Sequence, residues 1–72
     1  MFDISDRHPD IQHMIKLFHY EHLPENLQQH SKPFCELAWA MVENTPDGLN
    51  LIDALRKLWE SKNSYVMANL NG

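Results

Sequence analysis

Between two long stretches of helically spaced apolar residues lie Asn44-Thr45-Pro46-Asp47-Gly48, five residues with no apolar side chain and a concentration of turn formers. A connection this short forces the flanking segments to run antiparallel. Upstream, a helix starts at Pro24, and from Leu27 its stripe passes through Ser31, Phe34, Ala38 and Met41, widened by Leu37 and Val42. Downstream, Ile52, Leu55, Trp59 and Val66 define the second stripe, flanked by Leu51, Leu58, Met67 and Leu70, with Asp53 and Lys57 as an i,i+4 pair on the exposed side. Each helix has about 20 residues, roughly 30 Å in length. Pro33 interrupts the upstream stripe, because it cannot donate to the carbonyl of Gln29, and it predicts a bend or a break. A shorter helix precedes this pair: Pro9 stands in its first turn, and Ile11, Met14, Ile15 and Phe18 share one face. Strand-like alternation is absent, so the expected fold is all-α, a short N-terminal helix plus a long antiparallel helical hairpin. No linker, repeat or low-complexity segment divides residues 1–72, which read as a single domain.

A chain of 72 residues buries only roughly 60% of its unfolded surface, and a single cysteine excludes an internal disulfide. Phe34, Trp39, Trp59, Tyr65 and Met67 offer more apolar surface than a short helix and one helix pair can hide. Homo-oligomerisation is the expected remedy. Ten acidic against six basic residues, a net charge of -4, argue against phosphate-driven binding to long nucleic acid while allowing a small, localised anion. There is no membrane-length apolar run and no basic-then-apolar leader pattern, so a cytoplasmic protein with a reduced Cys35 is expected.

The candidate chemistry lies between Phe18 and Lys32. Phe18, His19, Tyr20 and His22 crowd the end of the first helix, and Ser31-Lys32-Pro33 stand where the second is expected to bend. Aromatic rings stack on bases, and cations hold phosphates. A helix restarting near Pro33 would add the N–H groups of Phe34 and Cys35 to the Ser31 hydroxyl and the Lys32 ammonium as an anion site. The competing reading makes Phe18 and Tyr20 staples of the first helix and leaves Lys32 solvated. His19 and His22, at i,i+3, supply two ligands where zinc needs three or four, so no metal is expected. Cys35 reads as a small core residue, and no nucleophile elbow, Gly-rich phosphate loop or suitable carboxylate pair is present. Neither catalysis nor a cofactor is expected. Lys62 falls on the apolar stripe of the last helix, where it either snorkels to water or faces a ligand; with Arg56 it forms a secondary candidate site.

Phe18-His19-Tyr20-Glu21-His22-Leu23-Pro24, the helix carrying Glu36-Leu37-Ala38, the polar turn, and Ala54-Leu55-Arg56-Lys57-Leu58 running into Tyr65-Val66-Met67-Ala68-Asn69 resemble the helical hairpin domain of phage anti-CBASS cyclic-oligonucleotide sponges. One type of Thoeris anti-defence sponge shares that domain, and the resemblance spans roughly residues 8–70. It implies a homohexamer in the host cytoplasm that sequesters a cyclic dinucleotide, or a related cyclic nucleotide signal, between protomers without cleaving it. Tyr20 then corresponds to the base-stacking aromatic, and Lys32, or Ser31 one position away, to the phosphate-binding residue. The arginine used by members that also take cyclic trinucleotides corresponds to Leu51.

Two other classes compete with a sponge. A helical protein-protein interaction or inhibitor module would have an apolar partner patch and no nucleotide ligand. A small DNA-binding regulator would want a basic recognition helix, whereas Leu49 to Leu70 carries Arg56, Lys57 and Lys62 against Asp53 and Glu60.

Overall fold

The computed structural model describes residues 4–71, and these form three α-helices: α1 (Pro9–Lys16), α2 (Glu25–Asn44) and α3 (Leu49–Asn71). Among the described residues there is no strand, and no helix is long and apolar enough to cross a membrane. The starts of α1 and α2 carry their sequence signals. His8 caps α1, its Nδ1 accepting from the Asp10 N–H at 3.1 Å, with Pro9 in the first turn. Pro24 precedes α2 in extended conformation, and its carbonyl takes the N–H groups of Leu27 and Gln28 at 2.8 and 3.1 Å. The α1 end tightens into i→i−3 bonds, from Leu17 to Met14, Phe18 to Ile15 and His19 to Lys16, at 3.1 to 3.2 Å.

One core joins the three helices: Ile11 and Ile15 of α1, Phe18 just past its end, Cys35, Ala38 and Val42 of α2, and Leu51 and Leu55 of α3. The most extensive packing is between α2 and α3. Further along that seam the Tyr65 ring lies 5.5 Å from His30 and 5.7 Å from Phe34, centroid to centroid. The buried stripe of α2 is Leu27, Ser31, Cys35, Ala38 and Val42. The helix is thus rotated from the sequence expectation: Cys35 and Val42 replace Phe34 and Met41 at the centre, and Leu37 is half exposed.

The break expected at Pro33 is not found. α2 runs through it without interruption for 20 residues. Pro33 and Gln29 both stand on the exposed side, so the carbonyl that loses its intrahelical donor faces water, while the opposite side is held by packing. The N–H groups of Phe34 and Cys35 therefore belong to a helix interior, and the anion-accepting helix start proposed for them does not form.

The sequence reading missed Arg7. Its guanidinium donates to the Asp47 carboxylate, to the Val42 carbonyl at 2.7 Å and to the Thr45 carbonyl at 2.6 Å, while the His8 N–H donates to the other Asp47 oxygen at 2.7 Å. The residues before α1 are thus tied to the α2–α3 loop, and the C-terminal carbonyl of Val42 gains a cationic donor. The backbone bond from His8 and the Arg7 guanidinium hold the Asp47 carboxyl below its ordinary value.

Candidate functional site

The turn after α1 is fixed from two sides. The Leu23 N–H closes it onto the Tyr20 carbonyl at 3.0 Å, and the Gln28 side-chain amide, reaching back from α2, donates to the carbonyls of Leu23 at 2.9 Å and Glu21 at 3.3 Å. Tyr20 packs against the core and is half-buried, so its ring has a fixed seat. Facing the turn is a strip of α2 made by Lys32, Cys35, Glu36, Trp39 and Glu43, which recur at helical steps of one, three and four residues. Between turn and strip lies an open cleft of about 290 Å³, lined by His19, Tyr20, Glu21 and these α2 residues.

Three carboxylates and one ammonium line this cleft: Glu21 on the turn, and Glu36 and Glu43 on the same α2 strip as Lys32. Cys35 forms its floor. Burial pushes the Cys35 thiol up, with smaller contributions from Glu36 and Glu21, while a hydrogen bond from the Trp39 indole N–H to its sulfur acts in the opposite direction. That bond also fixes the Trp39 ring in the cleft wall. A thiol kept protonated is a poor nucleophile, so Cys35 serves this cleft as an apolar surface and an anchor for Trp39.

Tyr20 and Lys32, singled out from sequence, meet at this cleft. The other candidates do not join them. Phe18 and Ser31 are completely buried, Phe18 in the core and Ser31 on the inward stripe of α2, so neither is available to a ligand. The physical reason is helical phase: Phe18 continues the core face of α1, and Ser31 lies one residue, about 100° of rotation, from Lys32. His22 is exposed but lies outside the cleft lining, apart from His19. Among the described residues no three His, Cys, Asp or Glu side chains are grouped to hold a metal ion.

The secondary candidates are engaged elsewhere. Arg56 pairs with Asp53 on the exposed side of α3, where Lys57 also reaches Asp53 at 3.0 Å. Lys62 is buried, and its ammonium donates to the Leu17 carbonyl at the end of α1, at 3.2 Å. Neither snorkelling freely nor lining the cleft, it ties α3 to α1. Leu51 is a core residue.

Glu21, Glu36, Glu43 and Trp39 are lining residues that sequence reasoning did not assign to the site, while His19 was grouped with the aromatic crowd after α1 without a role of its own. Only the α2 spacing of Lys32, Glu36, Trp39 and Glu43 carried a signal for them, and it is the spacing of any solvated helix face. The chain matches no protein-family model, no curated protein and no solved structure.

Proposed function

We propose that this protein is a cyclic-nucleotide sponge of the phage anti-defence type, which binds a cyclic dinucleotide or related immune signal and holds it without cleaving it. The observation that carries this reading is the meeting of Tyr20 and Lys32 in one cleft, an aromatic ring for a base beside an ammonium for a phosphate. Trp39 adds a second ring. A volume of about 290 Å³ lies at the lower edge of small-molecule sites and takes one part of a cyclic dinucleotide. The remainder needs a second wall. In this reading α2 and α3 are an antiparallel hairpin, and hairpins assemble into a homohexamer whose neighbouring protomers complete each pocket. Sequestration needs no catalytic group, and the protonated thiol of Cys35 suits a binding surface.

The test is incubation of the purified protein with cyclic di-AMP, cyclic di-GMP and cyclic GMP-AMP, removal of free ligand by gel filtration, and chromatography of what heating releases. The expected result is retention of at least one compound and its recovery unchanged. Retention of none, or recovery of a linear product, would contradict the reading.

A protein-protein interaction or inhibitor module without a nucleotide ligand is favoured by a different observation. Leu37, Tyr65, Met67 and Leu70 are about half exposed, three of them on the last turns of α3. The same incubation separates the two, because such a module retains no nucleotide.

A further inference from the structure

The cleft has an order along α2 as well as a composition. Lys32 stands at one end of the lining strip, Trp39 in the middle, and Glu43 at the other end. Lys32 and Glu43 are separated by about 16 Å along the helix axis. A nucleotide carries its parts in the same sequence: an anionic phosphate, a flat base, and the hydrogen-bonding edge of that base. With phosphate at Lys32 and the base beside Trp39, the edge points towards Glu43.

A carboxylate accepts hydrogen bonds and donates none, so the edge it reads must donate. Guanine presents N1–H and N2–H side by side, two parallel donors matched to the two oxygens of one carboxylate, as the fork of an arginine is. Adenine offers one amino group next to the lone pair of N1, which a carboxylate repels. Uracil sets a single N–H between two carbonyls.

We propose that Glu43 is a specificity-determining residue that makes this cleft select guanine over adenine in a cyclic nucleotide. The proposal rests on the nucleotide-binding reading of the cleft and adds the identity of the base.

Affinities of wild-type protein, Glu43→Gln and Lys32→Ala for cyclic di-GMP, cyclic di-IMP and cyclic di-AMP, measured at one salt concentration, provide the test. Hypoxanthine retains N1–H and lacks the 2-amino group. Wild type should bind cyclic di-GMP about tenfold to a hundredfold more tightly than cyclic di-AMP, with cyclic di-IMP between them, the range for loss of a bidentate base contact. Glu43→Gln should bring this ratio towards one, whereas Lys32→Ala should weaken all three compounds alike. Equal wild-type binding of the three, or an unchanged ratio in Glu43→Gln, overturns the guanine assignment and leaves nucleotide binding standing. Binding of none overturns both.

Discussion

Ser31 and Lys62 are polar residues on inward faces, and they have opposite fates. The Ser31 hydroxyl is fully buried and has no hydrogen-bond partner among the described residues, so it lost water on folding without a bond in exchange. Ser31→Ala should therefore raise stability by about 1 kcal/mol in urea unfolding and leave ligand affinity unchanged. A destabilised Ser31→Ala would show that the hydroxyl is bonded in solution. Lys62 keeps one bond, to the Leu17 carbonyl, but burial lowers its pKa below the ordinary lysine value. Below that lowered pKa the folded protein holds a desolvated charge; between it and 10.5 the unfolded chain binds more protons, so stability rises with pH. Lys62→Met should accordingly be more stable than wild type by about 1 kcal/mol near neutrality, with the gap narrowing towards pH 10. A constant gap across that range contradicts the burial account. Both residues fall on an apolar stripe in the sequence. The sequence could not say which neighbour would meet them, since the Leu17 carbonyl is 45 residues from Lys62. Tyr20 and Lys32 were singled out by residue type and by the resemblance, and they share a cleft because Lys32, inside α2, lies on the helix face turned towards the Tyr20 turn. Glu21, Glu36 and Glu43 were not singled out, because carboxylates on a helix face or turn look alike whether they face water or a cleft.

At the scale of elements, helix existence followed from periodicity and helix ends from proline and polar residues. Pro9 and Pro24 opened helices as their chemistry dictates, and residues 45–48 separate α2 from α3. Pro33 was misleading, because local backbone chemistry predicts the loss of one hydrogen bond while packing of Leu27, Ser31, Cys35, Ala38 and Val42 decides whether the helix survives it. The Arg7 link was invisible for a different reason: Asp47 and Arg7 are 40 residues apart, and an Asp in a turn needs no partner to explain it. Arg7→Ala should destabilise the fold by about 1 to 2 kcal/mol, since it removes charge-assisted bonds to two carbonyls and a carboxylate. The Asp47 carboxyl titrates lower when folded than when unfolded, so its contribution is complete above 3.8 and is lost as pH falls through the folded value. Asp47→Asn should therefore lower stability at neutral pH and flatten the acid limb below pH 4, followed by circular dichroism. An unchanged acid limb would mean that Asp47 is not bound to His8 and Arg7 in solution.

Across the whole molecule, the described residues form a body of 38 × 21 × 17 Å whose core is concentrated where all three helices meet. The last turns of α3 extend from it with Met67 and Leu70 each 55% exposed. The proposed assembly covers this surface, so the melting temperature should rise with protein concentration and light scattering at micromolar concentration should give a mass several times 8.5 kDa. Met67→Glu, which places a charge in that surface, should shift the mass downward. A wild-type monomer with a concentration-independent melting temperature would remove the second wall that the pocket requires.

The central claim is that Tyr20 and Lys32 form one nucleotide pocket, and titration calorimetry with cyclic di-GMP tests it most directly. Tyr20→Ala should weaken binding by about 1 to 3 kcal/mol, the range for loss of base-aromatic stacking, while Tyr20→Phe keeps the ring and most of the affinity. Lys32→Ala should also bind more weakly, and its affinity should fall less steeply with added salt than that of wild type, because a charge-assisted phosphate contact has been removed. Each variant is compared at the wild-type assembly mass. Wild-type affinity in both Tyr20→Ala and Lys32→Ala, with assembly intact, would contradict the account and place any nucleotide site away from this cleft.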